Sequence, residues 1–361
     1  MIIVASDKGV FTLDDGGQQG AVQFPRQQNM AMAVQGKCIA VALHKKGVQL
    51  SRDAGQTWVD ISPGLAQLDV RALAFDPHEE GVLYAGTEPA AVNRYCGGDW
   101  QALGDLQKVP ESKDWSFPVP PKVPHVRCIT LCPSIAGRLY AMIEVGSLLL
   151  SEDGGQSWRA LNGLAGHDLH RLVVHPSKPQ VLLAATGTDT GVYRRGGAEG
   201  VYRSEDGGES WANVNDGLEH RLYAEDAIAF WPDDPDTVLV AAADGIPPHW
   251  ASMGQLVKGI FSGNVYFLKP SRLRRFKGAD VTVYRSQDGG KNWRPVAEPA
   301  CNALFDMVWA LESGPGDDGA PAVYFGTTSG DIRVSRDQGE SWQLLASNLG
   351  AITHLHPISK E

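Results

Sequence analysis

Short apolar runs, each ended by glycine, proline or aspartate, recur along the whole chain with almost no helical periodicity. A typical unit opens with a run closed by proline, as in Val70-Arg-Ala-Leu-Ala-Phe-Asp-Pro77 or Leu169-His-Arg-Leu-Val-Val-His-Pro176. A second apolar run follows, such as Val82-Leu-Tyr-Ala-Gly, and then a short β-rich one such as Gly200-Val-Tyr-Arg. Four short strands per unit, separated by turn signals, predict the blade of a β-propeller.

One motif marks the turn before the fourth strand of each unit. Ser51-Arg-Asp53-Ala-Gly55-Gln-Thr57-Trp58 recurs at Ser151 to Trp158, Ser204 to Trp211, Ser286 to Trp293 and Ser335 to Trp342. Two worn copies, at Thr12-Leu-Asp14-Asp-Gly16 and before Trp100, bring the total to seven. The residue types suit a tight turn. Aspartate bonds backbone amides, glycine takes the left-handed position and tryptophan anchors the hairpin. These aspartates therefore read as turn fasteners rather than catalytic groups.

The predicted fold is all-β, a seven-bladed propeller of four-stranded antiparallel blades occupying residues 1–361 as one domain. The first unit lacks an opening strand, because the chain starts on Ile2-Ile3-Val4-Ala5, a second-strand pattern. Ile352-Thr-His-Leu-His-Pro357 has the form of the missing strand. The C-terminal strand should thus complete the N-terminal blade and remove an open sheet edge.

On these repeats the chain resembles the Asp-box, or BNR-repeat, propellers, which include sialidases, xyloglucan-cleaving glycoside hydrolases, sortilin-type receptors and photosystem II assembly factors. The resemblance covers nearly the whole chain and implies the fold, not one activity. A sialidase would bring an Arg-Ile-Pro motif and six blades. This chain has Phe24-Pro-Arg26 and seven. The xyloglucan enzymes use two propellers facing each other, against the single ring here.

Three insertions, at 103–124, 186–199 and 243–280, fall on the face opposite the repeated turns. The longest ends in a basic stretch with Lys269, Arg272, Arg274, Arg275 and Lys277, either a solvated loop or a lid over an anion. Aligning the first strands on their closing proline brings Arg71, Arg127, His170 and Asp226 to the same face, and an Ala-Leu register adds Asp306. Asp69, His125 and Asp168 stand two residues earlier, with Tyr223 and Glu225 nearby in the sixth blade. Such a ring is either an ion-pair network plugging the channel or a polar pocket. In the pocket reading, Arg71 and Arg127 hold a small anionic ligand, helped by His125, Tyr223 and Glu225, while Asp226, Asp306 and His170 supply acid–base chemistry. The expectation is a hydrolase or lyase. The alternative is a non-catalytic module that grips an acidic peptide or partner.

Composition narrows the partners. A net charge of −10 argues against nucleic acid, and no run approaches a membrane span. No leader is visible at the N-terminus, and five cysteines without a disulfide pattern read as buried free thiols, so the expected compartment is the cytoplasm. No cofactor motif is present. A divalent metal is compatible with the histidines and carboxylates, though none shows diagnostic spacing. Within His354-Leu-His356, the second imidazole reads as a turn residue at the far end of its strand.

Overall fold

The structure, a computed structural model, describes residues 1–117, 121–164, 168–187, 199–219, 224, 226–243, 278–316 and 319–358. Seven antiparallel sheets stand around a central channel, each presenting one strand to the axis. Blade one contributes Ile352–Pro357, blade two Asn29–Gln35, blade three Val70–Phe75 and blade four Val126–Leu131. Leu169–Val174, Ile228–Phe230 and Val308–Pro315 complete the ring in blades five, six and seven. Each of these strands packs beside its neighbours in the ring, and Ile352–Pro357 touches both blade seven and blade two.

Closure occurs as the sequence implies. Ile352–Pro357 pairs antiparallel with Ile2–Ser6, matching Val4 to Leu355 and Ile3 to His356. Ile352 and Leu355 are fully buried with Tyr324 and Ile332 of blade seven. Gly326 makes this seat, since a Cβ there would lie 2.5 Å from the Ile352 side chain. Blade one has three full strands, and two isolated bridges, Val10 to Gln23 and Leu13 to Gln19, take the place of its fourth.

The repeated turns are hydrogen-bonded alike in all five full copies. The serine hydroxyl donates to the aspartate at 2.7–2.8 Å and accepts the glycine amide at 2.8–2.9 Å. The aspartate also accepts the amide four residues on, as in Thr57 N to Asp53 Oδ1 at 2.8 Å. The glycines sit at positive φ, for example 99° at Gly208, which other residues adopt only with strain. Blade three differs: Gly97 and Gly98, both at positive φ, make a two-residue hairpin in place of the motif.

Cores lie between blades rather than within them. One cluster joins Leu239 and Val283 of blade six to Leu311 and Phe325 of blade seven, and the others repeat this around the ring. The cysteines are all free, but only Cys132 and Cys301 are buried, while Cys96 is exposed. No helix among the described residues is long and apolar enough to cross a membrane.

Two outcomes are expected. Removing residues 351–361 takes away the axial strand of blade one, so the truncated chain should lose its cooperative melt and bind a hydrophobic dye such as ANS. Survival of a sharp transition near the full-length temperature would show that closure contributes little. The second concerns acid. The hydroxyl of the residue four positions on, then its amide, holds Asp53, Asp153 and Asp206 at about 2 instead of 3.8. Their folded-state values are depressed, so their stabilisation is complete above about pH 4 and is lost as pH falls towards 2. Replacing all three with asparagine should flatten the fall of melting temperature across that window.

Candidate functional site

Six of the seven axial strands start irregularly, and that irregularity builds most of the site. Pairing with the second strand skips one residue between Asn29 and Ala31, Val70 and Ala72, Val126 and Cys128, Leu169 and Arg171, and Val308 and Ala310. In blade one the skip falls at Thr353. A bulge leaves its extra residue outside the ladder and re-aims the side chain. Met30, Arg71, Arg127, His170, Trp309 and Thr353 are those residues. Asp226, just before the shorter strand of blade six, is the seventh, and all seven line one cavity of about 880 Å³.

The proline alignment therefore finds Arg71, Arg127, His170 and Asp226, but it misplaces blade seven. Trp309 takes the slot there, and Asp306 lies before the strand, off the cavity wall. Without a closing proline, the Ala-Leu register gave no correct anchor. Tyr223 and Glu225 lie outside the described residues, as do 118–120, 188–198 and 244–277 of the three insertions, including the basic stretch. The first insertion walls the mouth where it is described. Trp115 is buried and donates from Nε1 to the Ser147 hydroxyl at 3.2 Å, and Phe117 meets the His125 ring edge-on. His356 is also displaced from expectation, since it lines the channel rather than closing a turn.

The arginines are engaged by carboxylates. Arg71 contacts Asp69 at 2.8 Å and Glu88 at 2.8 Å. Glu88 lies 3.6 Å from His125 Nδ1, whose Nε2 is 2.8 Å from Glu144. Glu144 stands 3.7 Å from Arg127, which reaches across to Asp226 of blade six. In blade five His170 Nε2 lies 3.2 Å from Asp168. Deeper in the channel, Arg171 spans to Glu312 of blade seven at 2.5 Å. Three arginines thus meet five carboxylates, Asp69, Glu88, Glu144, Asp226 and Glu312, and a sixth, Asp168, is held by His170.

This balance corrects the expectation of an anionic ligand. Among the described residues, Arg71 and Arg127 turn to different carboxylates instead of converging on one point, and carboxylates outnumber the arginines they meet. The two readings of the ring also merge, because the ion-paired groups line an open cavity.

Burial and charge set the state of the ring. Burial pushes Glu144 upward, but the His125 hydrogen bond and the nearby His170 and Arg127 outweigh it and hold the carboxyl at about 2. Burial drives His354 down to about 3 despite the nearby Asp226, so its imidazole is neutral. His356 is lowered by the same cause.

Glu88 and Glu144 were missed by sequence reasoning. Both follow the second strand directly, at Leu83–Thr87 and Leu139–Ile143, and His44 has the same place in blade two. Backbone bonds tie this slot to the entry of an axial strand, as in Glu88 N to Asp69 O and Leu169 N to Glu144 O. Reading that slot across blades would have found them.

Comparison with known proteins gives weak but consistent kinship. No family model matches the chain. An oligoxyloglucan-reducing end-specific xyloglucanase of Emericella nidulans is 26% identical over 197 residues, 48% of this chain and 23% of its own. A xyloglucanase of Paenibacillus is 22% identical over 322 residues, 84% of this chain and 27% of its own. The chain thus spans about a quarter of the length of the curated relatives it matches. Among solved structures, the GH74 xyloglucanase of Xanthomonas campestris superposes with a TM-score of 0.65 at 18% identity, over 96% of this chain and 52% of that one. YCF48 bound to a D1 peptide gives 0.56 at 17%, over 88% and 80%. Both likenesses show the propeller fold alone.

If the pairs around Arg71 bear load, Arg71→Gln should lower stability by about 3 kcal/mol, because Asp69 and Glu88 are left facing each other without their cation. Adding Glu88→Gln should return part of that loss. Urea denaturation of the two variants measures both, and equal stability of all forms would show the pairs to be neutral.

Proposed function

We propose that the chain is a hydrolase that opens a glycosidic bond of an uncharged oligosaccharide at the channel mouth. The observation that carries this reading is that the Arg127–Asp226 pair and His170, itself held by Asp168, face one cavity from different blades. Asp226 is placed to exchange a proton with the substrate, and Arg127 keeps its carboxylate oriented. His170, set by Asp168, and the ionised Glu144 hold the attacking water. Trp309 offers a flat face at the same rim, suited to the apolar side of a sugar ring. The carboxylate surplus favours a neutral substrate over an acidic one, and the kinship to xyloglucanases supports carbohydrate as its class.

One observation favours a second reading. The single ring accounts for 80% of YCF48 but only 52% of the Xanthomonas enzyme. A propeller that holds a peptide without cleaving it would need nothing more than the ring.

Release of reducing ends from xyloglucan oligosaccharides decides between them. Wild-type protein should turn over, and Asp226→Asn should be slower by about a hundredfold or more per folded molecule, with substrate affinity largely kept. Absence of turnover across a neutral oligosaccharide panel, or full activity in Asp226→Asn, would remove the hydrolase reading.

A further inference from the structure

We propose that Glu144, Asp168 and His170 form a binding site for a divalent transition-metal ion of the Zn²⁺ or Mn²⁺ type. One ligand atom from each side chain lies within 4.8 Å of the other two. Ligands on such an ion sit about 2.0–2.2 Å from it, so only a small inward adjustment is needed. Backbone bonds between blades fix the three residues relative to one another. Leu169 N donates to Glu144 O at 2.7 Å, and Val145 bridges Asp168.

The surroundings point to a cation. Asp168 is 8% exposed and His170 7%, so two carboxylates converge on one imidazole with little water to screen them. An ion between them would meet both carboxylates at closer range than Arg127, which stands 3.7 Å from Glu144. A second, independent feature lies behind Glu144. His125 is 2% exposed, and its Nε2 stands 2.8 Å from Oε2 of that carboxylate. Outer groups that orient a metal-bound carboxylate occupy this kind of position. The bulge at His170 aims the imidazole at the cavity, which leaves room for a water on the ion.

The donor set selects the ion. One nitrogen and two carboxylate groups suit Zn²⁺ or Mn²⁺, whereas Ca²⁺ wants six to eight oxygens and Cu(I) prefers sulfur. Water on such an ion loses a proton far more readily than bulk water. The ion would thus supply the nucleophile that the hydrolase reading assigns to this cluster. The inference deepens that reading, but binding is measurable without turnover.

The experiment is isothermal titration of chelator-treated full-length protein with Zn²⁺ and Mn²⁺, with elemental analysis after dialysis. One ion per chain is expected, with affinity falling at least tenfold in His170→Ala and in Asp168→Asn. Co²⁺ should give a visible absorption band in the wild type that both variants lose. Melting curves of the metal-free variants show that they remain folded. If one does not, His170→Gln and Glu144→Gln take their place. No binding of either ion to the wild type, or equal binding by folded variants, overturns the proposal. An ion that binds to a protein without hydrolytic activity defeats the hydrolase reading alone. Hydrolysis by a wild-type protein that binds neither ion on titration defeats this one alone.

Discussion

Pairing of the last strand with the first closes the ring, and everything at the channel mouth depends on it. Seven wedge-shaped sheets have no common core. Each buries its faces only against its neighbours, so an open ring would leave two apolar faces and a strand edge in water. The bonds between Ile2–Ser6 and Ile352–Pro357 remove all three at once. They also bring His354 and His356 onto the same wall as Glu312 and as Asp226, which is more than a hundred residues away in sequence.

Closure fixes the axis, and the bulges then decide what faces it. A regular strand would alternate its side chains between the two faces of the blade. In six blades one extra residue at the start of the ladder turns a single side chain towards the rim, and in blade six Asp226 reaches it from just before the strand. The rim holds arginine, histidine, aspartate, tryptophan, methionine and threonine, so the fold supplies seven positions and leaves their chemistry open. This is why kinship at 26% identity or less says so little about function.

The fold was legible in the sequence because its signals are local. Ser, Asp, Gly and Trp lie within eight residues of one another, and their bonds stay inside the turn, as in Asp53 with Ser51 and Thr57. Closure was legible too, since a missing strand at one end matched a surplus strand at the other. The site was half legible. Proline anchored the register in blades three to six, and Arg71, Arg127, His170 and Asp226 came out together. Blade seven has no such anchor, so its sequence points to Asp306 where Trp309 takes the slot. The partners of the arginines were harder to see. Glu88 and Glu144 lie beyond the second strand, and their pairing depends on how one blade sits against the next. The charge on the arginines was visible from sequence. Its neutralisation was not.

The links at the rim share their members. Glu144 serves both His125 and Arg127, and Glu88 serves both Arg71 and His125. Arg127 extends the same run of contacts to Asp226, so blades three, four and six are held by one unbroken set of side chains. A side chain displaced in blade three would therefore loosen His125 and, through Glu144 and Arg127, the orientation of Asp226 three blades away.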